Sequence, residues 1–199
     1  MNFEQITNWA SFGVVVICWL VFAGKILLSK RPKSGPDTKR APMSWLGLVL
    51  QAAAFFLVWA MPRKPYFSSL IDGQPEINIL LQIIAILLSI ASVLLAISAA
   101  NELGKQWSIA ARLIEGHKLI TTGAYSIVRH PIYTALLGMI IATCLAFSHF
   151  LTLTAAIIIF VIGTKIRMTA EESLLRDAFG EEYENWKAKV PGLIPFVGN

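Results

Sequence analysis

INILLQIIAILLSIASVLLAISAAN, residues 77–101, runs for 25 residues without a charge between Glu76 and Glu102. A helix rising 1.5 Å per residue needs about 20 such residues to cross the hydrocarbon core of a bilayer. Lipid offers no partners to backbone N–H and C=O groups, so a segment of this kind crosses as a helix that satisfies its own. This one stretch sets the solvent for the whole chain, and its neighbours repeat it. Twenty uncharged residues separate Glu4 from Lys25, and 22 separate Arg40 from Arg63. The 35 between Arg129 and Lys165 are too many for one crossing and suffice for two short ones folded back at Cys144 to His149. Hydrophobic residues make up 56% of the 199 and charged residues 15%, against about 25% charged in an ordinary soluble domain.

The reading is an all-α integral membrane protein with five transmembrane helices. The spans fall at about 6–28, 43–62, 77–101, 131–147 and 150–167, the fourth and fifth forming a hairpin, all within a single membrane domain of 1–199. Basic residues orient it. Fifteen of the 17 lie in the first connection, in 102–129 or from Lys165 onward, and only Arg63 and Lys64 lie on the other side. By the positive-inside rule the N-terminus is outside, and the segments 102–130 and 168–199 are cytoplasmic with the C-terminus. No Lys or Arg precedes the first run and a basic cluster follows it, so it reads as a retained span. The net charge of +5 then reflects topology and contact with the lipid bilayer, anionic headgroups included, with no nucleic acid as partner. Cys18 and Cys144 sit in apolar runs without CxxC spacing and read as packing residues, neither a disulfide nor a metal pair.

Punctuation follows from proline and glycine. Residues 30–42 (KRPKSGPDTKRAP) form a linker on the cytoplasmic surface, and 62–76 an external loop in which Tyr66 and Phe67 sit at the interface. The third helix continues through Asn101-Glu102-Leu103 to Gly104. Gly116 and Gly123 bracket a segment in which Leu119 and Ile120 run extended, leaving backbone groups free for a ligand. Pro131 stands at the first-turn position it favours, which puts Arg129 and His130 at a helix N-terminus. Beyond Lys165 the fifth helix becomes amphipathic and stops at Gly180. A short helix from Glu181 to Lys189 follows, and the apolar tail Val190–Phe196 folds back against the bundle.

Chemistry concentrates where titratable groups crowd the membrane edge, since such groups are costly there and are kept for a ligand. At Arg129-His-Pro-Ile-Tyr133 a helix N-terminus offers free N–H donors and partial positive charge to an anionic group. His130 and Tyr133 add directional donors and acceptors. The alternative is that Arg129 anchors to headgroups and His130 caps the helix, and spacing leaves both open. Arg167 and Glu171 are four apart on one helix. That spacing fits an exposed ion pair, yet their position just past the apolar run also suits an arginine meeting a carboxylate. Neither GxGxxG, P-loop nor HExxH occurs, and pieces of 28 and 35 residues are too small for a nucleotide-binding domain. A cofactor must be held by helix ends and short loops.

Taken together, Leu103-Gly-Lys-Gln-Trp-Ser108, Gly116-His-Lys-Leu-Ile-Thr-Thr-Gly-Ala-Tyr125, Arg129-His-Pro-Ile-Tyr133, Arg167-Met-Thr-Ala-Glu-Glu-Ser-Leu-Leu175 and Phe179-Gly-Glu-Glu-Tyr183 with Lys189-Val-Pro-Gly-Leu-Ile-Pro-Phe196 resemble the isoprenylcysteine carboxyl methyltransferase family, in particular its short prokaryotic five-span members. The likeness covers roughly 80–199. It implies an enzyme that binds S-adenosylmethionine, released as S-adenosylhomocysteine, in the two cytoplasmic segments, and methylates a lipophilic or prenylated acceptor, foremost the carboxylate of a prenylcysteine-like or isoprenoid compound. By motif matching, His117, Lys118, Leu119, Ile120, Gly123, Tyr125, His130, Pro131, Tyr133 and Glu172 are the cofactor set, and Arg167 and Glu171 are catalytic, facing the acceptor. Which glutamate serves which partner stays open, as do a phospholipid amine or small thiol as acceptor. The resemblance extends more thinly to sterol reductases that use NADPH, without a visible arginine cluster for a 2′-phosphate. A non-catalytic ligand-binding or transport protein is the rival from another class. It calls for polar residues through several mid-bilayer segments, whereas here Gln51 and Gln82 stand nearly alone and read as interhelical hydrogen bonds.

Overall fold

The computed structural model describes residues 3–27, 36–41, 43–64 and 68–195. Expectations for residues 28–35, for Tyr66 and Phe67 and for Phe196 lie outside the described residues. Among the described residues six α-helices follow one another: α1 (Phe3–Phe22), α2 (Ser44–Ala60), α3 (Pro75–Leu103), α4 (Pro131–Phe147), α5 (Phe150–Phe179) and α6 (Glu181–Lys187). α1 runs on as a wider π turn, Ala23–Leu27. Three of these, Phe3–Lys25, Pro75–Gln106 and Phe150–Phe179, are long and apolar enough to cross a membrane, while α2 and α4 are shorter apolar helices. The chain is an integral membrane protein.

Helix ends obey local chemistry. Pro131 opens α4 and Pro75 opens α3, where the missing N–H has no helical partner to lose. Gly104 and Gly180 close α3 and α5 at φ +52° and +51°, a region that costs other residues a steric clash. The helices are built inside out relative to a soluble bundle. α3 buries Asn78, Gln82, Ala85, Ser89, Ser92, Ala96 and Ala99, spaced three and four apart, and exposes Leu80, Ile83, Leu87, Ile90 and Leu94. Large apolar side chains lose nothing by facing lipid, so close approach and buried hydrogen bonds decide which face turns inward. Gln82 donates to the Leu145 carbonyl at 3.1 Å and accepts from the Ser11 hydroxyl at 2.5 Å. Gln51 donates to Thr164 Oγ1 at 2.8 Å. Both glutamines thus make the interhelical bonds expected of them. Cys18 and Cys144 are free and buried in apolar clusters.

Backbone contact between α2 and α5 is close because two glycines face each other. A Cβ on Gly163 would lie 2.7 Å from the Gly47 carbonyl oxygen, and one on Gly47 would lie 2.6 Å from Arg167 Cγ. That crossing places Arg167 against the first turns of α2.

One element corrects the all-α expectation. Asp37–Arg40 forms strand β1 and Arg112–Ile114 forms strand β2, paired antiparallel with an irregularity between Asp37 and Lys39. The pairing is fixed by Arg112, whose Nη1 meets Asp37 Oδ1 at 2.5 Å, and by Leu113, buried with Ala111 and Leu174. The linker is polar and shows no alternation of its own, so only its partner makes it a strand. The C-terminal tail does fold back: the carbonyls of Pro191 and Gly192 accept the backbone N–H groups of Arg129 (2.8 Å) and His130 (3.0 Å).

Candidate functional site

Where α3 ends, the chain makes a 3-10 turn at Gly104–Gln106 and doubles back along residues 117–121. Gln106 imitates a strand partner there. Its Nε2 donates to the Lys118 carbonyl at 3.1 Å and its Oε1 accepts the Lys118 N–H at 2.5 Å. The next two residues, Leu119 and Ile120, make no backbone hydrogen bond among the described residues. Both residues line a cavity of about 390 Å³.

The cavity has two characters. Its polar half is lined by His117, Lys118, Leu119, Ile120, Tyr125, Arg129, His130, Pro131, Tyr133, Arg167 and Glu171. Its apolar half runs between helices and is lined by Trp19 and Phe22 from α1, Leu48, Ala52 and Phe55 from α2 and Leu136 from α4. Ten of the twelve expected site residues line the first half. Gly123 and Glu172 stand outside its wall.

Gly123 has φ +57° and would drive a Cβ into the Glu102 carboxylate. It opens the short turn Gly123–Ser126 that buries Tyr125. Burial pushes the Tyr125 phenol well above its ordinary range, so it stays a neutral hydrogen-bonding group. The Tyr125 carbonyl accepts Trp186 Nε1 at 3.2 Å, tying the turn to α6. His117 Nδ1 is buried with no partner among the described residues, and burial holds the ring below its ordinary 6.5, neutral at pH 7.

Glu172 is the hub of a buried clasp. It meets Arg129 Nε at 3.1 Å, His130 Nε2 at 3.2 Å and Lys187 Nζ at 3.0 Å. Arg129 also donates to the carbonyls of Lys187 (3.1 Å) and Val190 (2.5 Å). Arg129 therefore joins α4, α5 and the C-terminal segment rather than reaching for headgroups. His130 lies between two carboxylates, its Nδ1 3.5 Å from Glu171 Oε2. Burial disfavours the imidazolium, yet hydrogen bonds to Glu171 and Glu172 outweigh it and hold the group above its ordinary 6.5.

Arg167 is 4% exposed. Its Nε donates to Tyr133 Oη at 2.7 Å, its Nη2 to the Ile109 carbonyl at 2.5 Å, and the same Nη2 lies 3.6 Å from Glu171 Oε1. The Tyr133 hydroxyl in turn donates to Glu171. Nη1 has no partner among the described residues. The guanidinium is thus locked on one edge and open on the other, at the junction of the two halves. An arginine so fixed can hold a carboxylate without first ordering itself.

Sequence reasoning did not single out Gln106, the Ile109 carbonyl, the clasp partner Lys187 or the walls from α1 and α2. Gln106 sits inside the Leu103–Ser108 motif and was findable there. Trp19, Phe22, Leu48 and Phe55 carry no signal that separates them from lipid-facing neighbours.

Known proteins share this region. Protein-S-isoprenylcysteine O-methyltransferase of Schizosaccharomyces pombe is 32% identical over 103 residues, 50% of this chain and 43% of that protein. Protein-S-isoprenylcysteine O-methyltransferase B of Arabidopsis thaliana is 33% identical over 89 residues, 45% of each chain. Methanethiol S-methyltransferase of Crocosphaera subtropica is 32% identical over 81 residues, 41% of this chain and 31% of that protein. In each case the match spans less than half of the relative. The family model for phospholipid methyltransferases matches residues 80–182, which take in the doubled-back strip, the start of α4 and both glutamates of α5. The chain belongs to the phospholipid methyltransferase family.

Proposed function

We propose that this protein transfers the methyl group of S-adenosylmethionine to a lipophilic acceptor, the carboxylate of a prenylcysteine-like or isoprenoid compound. One observation carries the reading: the uncommitted Nη1 of a buried, immobilised Arg167 stands where a polar cavity half meets an apolar one. An anion with a hydrocarbon tail is the ligand that satisfies both.

The residues present fit the cofactor. The bare backbone of Leu119 and Ile120 and the orphaned Nδ1 of His117 are suited to its polar groups. Lys118, Tyr125, His130, Pro131 and Tyr133 complete the wall that would hold it. Gly123 and Glu172 act by shape, Gly123 through the turn that seats Tyr125 and Glu172 through the clasp that seats His130. Bound there, S-adenosylmethionine supplies an electrophilic methyl group on a positively charged sulfur, and the transfer neutralises that charge against the acceptor's carboxylate.

The protein's own contribution is position and dryness. Arg167 holds the carboxylate, and Tyr133, Glu171 and the Ile109 carbonyl hold Arg167. The apolar half takes the tail and excludes water, so alignment supplies most of the acceleration. A carboxylate is reactive as it stands at neutral pH and requires no base. An amine or thiol acceptor would require one. Glu171 is the candidate, but one of its oxygens receives the Tyr133 hydroxyl and the other faces His130, which favours the carboxylate.

The same reading sets α1 to α5 as five spans of one membrane domain, α4 and α5 as a hairpin, and the cavity's polar rim with the C-terminus in the cytoplasm, the N-terminus outside. Calorimetry with S-adenosylhomocysteine tests the cofactor: no binding removes the proposal. Transfer of a tritiated methyl group to prenylcysteine analogues, phosphatidylethanolamine or thiols separates the acceptors.

A further inference from the structure

Gln51 is 4% exposed and forms part of the cavity wall among Trp19, Phe22, Ala52, Phe55 and Leu136. An amide in so apolar a place is costly unless its hydrogen bonds are made. Only one is. Nε2 donates to Thr164 Oγ1 at 2.8 Å, and the side-chain carbonyl has no partner among the described residues. That oxygen is not sealed inside protein, since it is absent from the fully enclosed unsatisfied atoms, which include Arg63 Nε and His117 Nδ1.

Its place relative to Arg167 follows from the glycine crossing. Gly47 abuts Arg167 Cγ, and Gln51 stands one turn further along α2, against Gly163 and Thr164 of α5. Four residues of helix advance about 6 Å. Side chains lean toward the N-terminus of their helix, here the Arg167 end, so the amide reaches back over part of that distance. A helix-to-helix bond accounts for one of the two amide N–H groups and leaves the acceptor oxygen idle beside the cavity.

We propose that Gln51 is a specificity-determining residue whose carbonyl oxygen accepts an N–H borne by the methyl acceptor next to the carboxylate that Arg167 holds. This rests on the acceptor being a carboxylate with a hydrocarbon tail, and it adds that a simple long-chain acid is the poorer ligand. Gln51 lies before residue 80, where the family match begins, so the shared motifs do not determine it.

Two probes differ at the carbon next to the carboxylate: N-acetyl-S-farnesylcysteine carries an acetamido group there, with its N–H, and S-farnesyl-3-mercaptopropionic acid has hydrogen in place of that group. A buried neutral hydrogen bond corresponds to about a tenfold difference in affinity. The wild type should bind the first probe about ten times more tightly by calorimetry and show the same ratio in KM, with kcat similar for both. In Gln51→Met the ratio should fall close to one while S-adenosylhomocysteine binding is unchanged. Gln51→Asn, which keeps an amide but shortens it, serves should the methionine variant not accumulate, and should likewise lose the preference. A wild type without preference overturns the inference. So does a variant that keeps the tenfold ratio, or one that weakens both probes equally with a lowered melting temperature, the pattern of a purely structural bond. Binding is read without turnover, so absence of methyl transfer would remove the proposed function while leaving Gln51 judged on its own.

Discussion

Two buried arginines sit at opposite ends of this bundle, and they are used in opposite ways. Arg63, 2% exposed, follows α2 and reaches into the end of α4. Its Nη1 donates to the carbonyls of Leu145 (3.1 Å) and Ser148 (2.8 Å), and its Nη2 to that of Ala146 (3.0 Å). The last turn of a helix leaves carbonyls without partners and carries partial negative charge. Arg63 answers both, and the Ser148 hydroxyl closes the same corner by donating to the Met61 carbonyl at 2.5 Å. Arg167 is as deeply buried but its Nη1 has no partner among the described residues. Burial therefore does not distinguish a structural arginine from a functional one, nor does an idle donor by itself: Arg63 Nε also lacks a partner among the described residues but is sealed inside protein, whereas Arg167 Nη1 is not among the enclosed atoms and belongs to a residue of the cavity wall.

The difference predicts two separable failures. Arg167→Ala should lower kcat/KM by about a thousandfold, about 4 kcal/mol of transition-state stabilisation, with S-adenosylhomocysteine affinity within a few-fold of wild type. Arg167→Lys should recover little, because an ammonium cannot keep Tyr133 and Ile109 while reaching a carboxylate. Loss of cofactor affinity in either variant would reassign the arginine to the cofactor half. Arg63→Met should do the reverse. Three helix-end carbonyls lose their donors, costing about 3 kcal/mol of stability, while the folded fraction keeps its KM. Thermal unfolding in detergent beside initial rates shows whether stability and activity part in this way.

The contrast also marks what could be read from residues alone. Apolar runs, with Pro75, Gly104, Pro131 and Gly180 marking helix ends, announce α3, α4 and α5, since lipid and backbone sterics act locally. Strand β1 was illegible because its pairing partner lies over 70 residues away and its own sequence is a polar linker. Arg63 reads as an ordinary loop charge until α4 folds over it. The polar half of the cavity was legible because titratable groups stand out against an apolar chain. The apolar half was not, since a phenylalanine facing a ligand and one facing lipid look alike in sequence.

Glu172 offers a sharper test of the cavity end. It touches no cavity surface, yet Arg129, His130 and Lys187 converge on it. Glu172→Gln keeps the shape and removes the charge, leaving a buried Arg129 without its counter-ion. Cofactor affinity should fall about tenfold through displacement of His130 and the C-terminal segment, with kcat less affected. An unchanged affinity would mean that the clasp serves folding alone, as Arg63 does at the other end.

The smallest effect is a pH dependence that only the cavity end should show. His130 is held above its ordinary 6.5 because Glu171 and Glu172 outweigh its burial. The folded protein then keeps a proton that the unfolded chain releases, so this contribution is complete below about pH 6.5 and disappears as pH rises through the folded value. Each unit of upward shift corresponds to about 1.4 kcal/mol. The melting temperature of the wild type should decline across that interval by a few degrees. His130→Gln should flatten the decline, whereas Arg63→Met, lacking a group that titrates there, should lower the whole curve and leave its slope intact. A slope that survives in His130→Gln would assign the dependence to another group and free His130 of the carboxylates' hold.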